Sequence, residues 1–233
     1  MTVFAYDDAG EACEGFVALP DGAGPHPAVL VVHNWAGQSE TDNAVARKLA
    51  RLGYVGIAID VYGKGKRGTE GQDNGALMGP WAGDRAALRQ RLLAAVDAAK
   101  AHPAVDASKL AVIGYCFGGL CALDVARAAP EGVLAAASFH GIYGPPELGA
   151  HGPISAKVLV LHGWDDPMTP PDAMVGLAQE LTAAGADWQV HAYGHTMHAF
   201  TSIHANSPPT VYNKSADERS WAALQGFLAE SFS

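Results

Sequence analysis

The chain has 233 residues, 49% of them apolar and 17% charged, with a net charge of −9. That balance suits one packed α/β unit and excludes a disordered or low-complexity protein, and its acidity leaves no basic stripe for nucleic acid. No apolar run approaches the roughly 18 residues needed to cross a membrane, and three cysteines without a leader-like start predict free thiols in a cytoplasmic protein.

The first 20 residues read as an antiparallel lead-in, with a strand over 14–19 stopped by Pro20 and a turn over 22–27. Residues 28–32 (Ala-Val-Leu-Val-Val) form an unbroken apolar strand followed by His33, Asn34 and Trp35. Thr41 opens a helix with Val45, Leu49 and Leu52 on one face and Gly53 past its end. A strand over 55–59 ends at Asp60. Residues 61–83 are rich in glycine and lack any period, which predicts a functional loop or a lid. A helix follows over 84–100, stopped near Pro103. Further apolar strands run over 110–113, 133–139 and 157–161. A helix from Thr169 to Gly185 leads into the last strand, 187–193. Ser215 and Glu218 have the spacing of a capping box and start a final helix. Strands that are continuously apolar and alternate with helices predict a mostly parallel sheet covered on both faces, with ligands beyond the carboxyl ends of the strands. No repeat or linker divides residues 1–233, so a single domain is expected.

The stretch from Leu110 to Cys121 carries the chemistry. The strand breaks into Gly114-Tyr115-Cys116-Phe117-Gly118-Gly119 and turns helical from Leu120. Glycines around a sharp strand-to-helix turn let neighbouring backbone pass close. Cys116 at the apex sits at a helix start, where the dipole favours an anion and the Phe117 amide faces a developing oxyanion. The bland alternative is a buried small hydrophobe after a strand. A nucleophile needs a base, and the base needs an orienting acid. Asp166 lies just past one strand and His198 just past the next; for Asp166 a turn or helix-cap role is the competing assignment.

The sequence resembles the dienelactone hydrolase family, the cysteine-nucleophile branch of the α/β-hydrolases. The matching residues are the Gly114-to-Gly119 elbow, His162-Gly163-x-x-Asp166, and His198-x-Phe200 approached from Tyr193. The likeness spans nearly the whole chain. It implies an α/β-hydrolase fold and a Cys116, Asp166, His198 triad, with no cofactor and no metal. The partner is then a small ester or lactone, cleaved through a thioester on Cys116. The oxyanion donors fall on the amides of Phe117 and Trp35, with Asn34 as a weaker candidate for the second.

Two features depart from the family's best-known members. Asn34 stands where they carry a glutamate that pairs with the resting thiol. No arginine follows Phe200, where they hold a substrate carboxylate, and Arg85 and Arg89 offer no secure replacement. The expected pocket is therefore apolar and aromatic, drawn from Asn34, Tyr115, Trp81, Trp164 and His195. His191, His195, His198 and His204 fit no closed zinc pattern. Cys13 and Cys121 read as core. Other substrates for the same triad are a thioester or a phosphotriester, and a non-catalytic ligand-binding member of the fold is the reading from another class. The oligomeric state is not legible.

Overall fold

The computed structural model describes residues 2–149 and 152–233. β1 (Val3–Asp8) and β2 (Glu11–Ala18) form the antiparallel lead-in, and β2 then pairs antiparallel with β4 (Val55–Ile59). From β4 the sheet runs in parallel through β3 (His26–Val32), β5 (Val105–Tyr115), β6 (Val133–Phe139), β7 (Lys157–Gly163) and β8 (Trp188–Tyr193). The order β1-β2-β4-β3-β5-β6-β7-β8 brings the carboxyl ends of the parallel strands to one edge. This is an α/β fold with a mostly parallel sheet.

The unbroken apolar strands follow from burial on both faces. Leu30, Val32, Val112, Val158 and Val160 enter one core cluster with helices α3 (Arg85–Lys100), α4 (Phe117–Ala128) and α5 (Pro171–Ala183). Their neighbours Val29, Val31, Ala111, Ile113, Leu159 and Leu161 point the other way. They meet Leu49 of α1 (Glu40–Arg51) and Leu224, Phe227 and Leu228 of α6 (Lys214–Ser231). Successive side chains alternate across the sheet, so a strand with two cores has no polar face to show. Each fully buried Val or Leu contributes about 1.5–3 kcal/mol.

Several boundaries differ from those expected. Helix α1 is capped by Ser39 rather than opened at Thr41, because Asp42 reaches back to the Ser39 amide at 2.8 Å and closes a capping box. The final helix is capped by Asn213, whose Oδ1 accepts the Ala216 amide at 3.2 Å; Ser215 lies inside the first turn. Helix α5 starts at Pro171, two residues past Thr169. Residues 61–83 are not irregular throughout, since Gly75–Gly83 form a helix, α2, with Pro80 inside it. The loop before it is organised by the buried Asn74, which donates to Thr69 O and Gln72 O and accepts the Thr69 amide.

A buried ion-pair chain ties α4 to its neighbours. Arg85 grips Asp124 at 2.7 Å, Arg127 meets Asp124 at 3.0 Å, and Arg127 pairs with Glu180 at 2.7 Å. The helix that starts at Cys116 is thus fixed to α3 and α5. Among the described residues, no helix is long and apolar enough to cross a membrane.

Candidate active site

The elbow is strained at Cys116. Cys116 has φ 56° and ψ −114°, a left-handed backbone that a non-glycine residue adopts only when its surroundings impose it. The surroundings are close backbone. A Cβ on Gly114 would lie 2.0 Å from Gly118 O, and one on Gly118 would lie 2.2 Å from Val32 O. The Cys116 amide is held by Phe139 O at 3.0 Å, and the Cys116 carbonyl accepts the Gly119 amide at 2.9 Å. The thiol is free and half-buried at the N-terminus of α4.

On one side of the thiol lie the loops after β7 and β8. Asp166 Oδ1 accepts the Met168 amide at 2.8 Å, and its Oδ2 accepts His198 Nδ1 at 2.7 Å. Both side chains are almost fully buried. An ionised Asp166 requires the proton on Nδ1, which leaves Nε2 for chemistry. Among the described residues, Nε2 has no nitrogen or oxygen partner, and the Cys116 thiol lies beside it. Burial opposes a charged His198, but Asp166 and the neighbouring Cys116 outweigh it and raise the imidazole to about 10. Burial would raise Asp166 in turn, yet the imidazole and the Met168 amide hold its carboxyl below the usual range. A short ribbon steadies the histidine loop: β9 (Asn206–Ser207) pairs with β10 (Thr210–Val211), and the Val211 amide donates to His198 O at 3.1 Å.

On the other side lies the loop after β3. Its first residue, His33, is fully buried, and the Val61 amide donates to its Nε2 at 3.1 Å. Its Nδ1 then donates to Asn34 O at 2.6 Å. Burial drives the His33 pKa down to about 4. Asn34 Oδ1 accepts the Ala36 amide at 2.8 Å, Tyr62 Oη donates to Trp35 O at 3.0 Å, and the Gly68 amide donates to Ala36 O at 2.7 Å. None of the described hydrogen bonds uses the Trp35 or the Phe117 amide. Two candidate donors therefore come from separate strand ends that Gly118 packs together.

The sequence profile of the dienelactone hydrolase family matches residues 13–232. The chain belongs to the dienelactone hydrolase family. It is similar in structure to a dienelactone hydrolase-like promiscuous phosphotriesterase from metagenomic libraries, with 35% identity, a TM-score of 0.92 and coverage of 99% of this chain and 98% of that one. A putative dienelactone hydrolase from Klebsiella pneumoniae superposes with a TM-score of 0.80 at 26% identity, covering 97% of each chain. A putative carboxymethylenebutenolidase of Aquifex aeolicus is 30% identical over 199 residues, 84% of both sequences. The dienelactone hydrolase family is enzymatic, and the chain is a hydrolase of this family.

Within this family frame, the expected pocket residues are scattered. Tyr115 stacks on Phe139 at 4.6 Å and packs into the second core cluster. Trp81 lies against the Arg91 guanidinium at 4.7 Å and against the first core cluster, and no described contact joins it to Cys116. Trp164 is 45% exposed and meets His162 edge-on at 6.1 Å. The His195 side chain is fully exposed and lies 3.8 Å from Asp165. Arg85 is committed to Asp124 and is not a free carboxylate ligand.

The sequence puts His140 at the functional edge, just past an apolar strand, but assigns it no role. Its ring stands edge-on to His198 at 5.2 Å, its Nε2 pairs with Thr201 Oγ1 at 2.8 Å, and burial together with the His198 charge pushes its pKa well down. Its position at the end of β6 was the available signal.

Proposed function

We propose that the chain hydrolyses small, uncharged carboxylic esters or lactones through a thioester on Cys116. The observation that carries this is the buried Asp166–His198 pair beside a cysteine at a strained elbow. His198 takes the Cys116 proton at Nε2, and its raised proton affinity favours the thiolate–imidazolium pair. The thiolate attacks the carbonyl carbon, forming an S–C bond, and the oxyanion rests on the Phe117 and Trp35 amides. As the C–O bond breaks, the imidazolium protonates the departing alkoxide. Water then attacks the thioester and gives its proton to His198, and the thiol is restored.

The charge of the rim supports an uncharged substrate. In the loops at the carboxyl edge of the sheet, the basic residues are Lys64, Lys66 and Arg67. They are committed to Glu14, Glu11 and Asp60 at 2.7, 2.5 and 3.0 Å. Glu70, Asp73, Glu147 and Asp165 share those loops, so a substrate carboxylate meets repulsion.

The test is intact-protein mass spectrometry after brief exposure to p-nitrophenyl acetate. Wild type is expected to carry one acetyl group and release nitrophenol. Cys116→Ala is expected to carry none and to turn over at least about 10³-fold more slowly. Hydrolysis by Cys116→Ala at the wild-type rate would overturn the assignment, and tight ligand binding without turnover of any ester would favour a binding protein. The likeness to a promiscuous phosphotriesterase supports a second substrate, a neutral phosphotriester attacked by the same thiol; a Cys116-dependent release of nitrophenol from diethyl p-nitrophenyl phosphate would establish it.

A further inference from the structure

We propose that His33 is a positioning residue that aims and polarises the Trp35 amide as an oxyanion donor. The inference rests on the hydrolytic function proposed above and concerns a residue outside the triad.

The direction of the hydrogen bonds at His33 follows from chemistry alone. The Val61 amide can only donate, so the ring nitrogen it meets at 3.1 Å, Nε2, must be bare. The neutral ring then carries its proton on Nδ1, which lies 2.6 Å from Asn34 O and must donate to it. Asn34 O and the Trp35 N–H belong to the same peptide group. A donor on the carbonyl oxygen draws electron density through that peptide and makes its N–H a stronger donor. The chain of polarity therefore runs from the Val61 amide through the imidazole and the Asn34–Trp35 peptide to the place where the oxyanion forms.

The ring has little freedom to do anything else. His33 is fully buried, packs edge-on against Tyr62 at 4.6 Å and lies 6.3 Å from Phe117, whose amide is the other donor. Tyr62 is itself buried and fixes the next carbonyl, Trp35 O. Val61 is anchored in turn by Arg91, which donates to Val61 O at 2.9 Å. Burial keeps the His33 ring neutral through the physiological range, so Nε2 stays an acceptor and Nδ1 a donor. A protonated ring would have to break with Val61.

Asparagine and glutamine separate the two functions of the ring. His33→Asn puts a carboxamide N–H close to where Nδ1 stands and can still donate to Asn34 O. His33→Gln reaches the Nε2 position, where it serves Val61 and leaves Asn34 O with only the longer bond from the Gly37 amide, at 3.2 Å. Kinetics with p-nitrophenyl acetate are expected to show kcat and the acylation rate falling about 10–100-fold in His33→Gln, with KM within about threefold. His33→Asn is expected to keep kcat within about threefold of wild type. Thermal unfolding of all three proteins identifies variants that are folded. A folded His33→Gln with wild-type kcat would overturn the proposal, as would equal losses of kcat in the two variants. Cys116→Ala in the same assay separates this failure from failure of the hydrolytic function. If Cys116→Ala stays active the triad is wrong, whereas a Cys116-dependent enzyme indifferent to His33→Gln refutes only the role of His33.

Discussion

Cys116 lies between two sets of loops, each built on a buried histidine, and the two imidazoles are shifted in opposite directions. His198, on the wall formed after β7 and β8, is raised to about 10, whereas His33, on the wall after β3, is lowered to about 4. Both lose water, so desolvation acts against the proton in each. The difference is the partner. His198 meets a buried carboxylate and a thiol, which together overcome the desolvation. His33 meets a backbone amide and a backbone carbonyl, and the pull of Asp60 is countered by Arg67. Burial alone therefore says nothing about the charge of an imidazole; the anion beside it decides. In the proposed mechanism one wall exchanges protons and the other presents fixed dipoles.

The strongest way to break this contrast is to neutralise the carboxylate. Asp166→Asn keeps the size of the side chain but favours the wrong His198 tautomer. It should lower kcat by about 10³–10⁴-fold with p-nitrophenyl acetate. The corresponding blow to the other wall is steric. Gly118→Ala places a Cβ 2.2 Å from Val32 O and 2.7 Å from His33 O, both backbone, so the elbow and the β3 loop must part. Steady-state kinetics should show kcat reduced by about tenfold or more, and thermal unfolding should show a loss of about 1–3 kcal/mol.

The smallest effect sharpens the comparison through pH. The folded His198 pKa lies above its ordinary 6.5, so its contribution to stability is full below pH 6.5 and is lost as the pH rises toward about 10. The folded Asp166 pKa lies below 3.8, so its contribution is full above pH 3.8 and is lost as the pH falls further. The melting-temperature gap between wild type and Asp166→Asn should be widest between pH 4 and 6.5. By pH 10 it should narrow by at least about 2 °C. A gap that widened toward pH 10 would contradict the charged pair.

Much of this was legible in the sequence, and for physical reasons. Strands buried on both faces must be apolar throughout, so a polar residue just past a strand end breaks the pattern. Polar residues at those ends, Cys116, Asp166 and His198, therefore stood out against their surroundings. The Gly114 and Gly118 positions were legible because close backbone approach admits no other residue. Helix α2 was not, because Gly75–Gly83 is uniformly apolar, contains a proline and has no side-chain cap. The two-residue strands of the β9–β10 ribbon are too short to leave a periodic trace. Side-chain direction was illegible for the pocket. Trp81 turns to an arginine and His195 turns to water, and neither preference is written in the residues around them. The hydrogen bonds of His33 depend on Val61, 28 positions away, which only the fold brings near.

The Arg85–Asp124–Arg127–Glu180 chain also bears on how this protein could change its diet in evolution. Its two guanidinium groups brace the helix behind Cys116 and are buried among their partners. Turning either toward a substrate would strand a buried charge, at a cost of about 3–5 kcal/mol. Ile203, five residues beyond His198, is 70% exposed and has no such obligations. A lineage in need of a cation beside Cys116 would recruit it on the exposed margin of loops and leave the frame untouched. The frame is tied down by its ion pairs, and the rim is not.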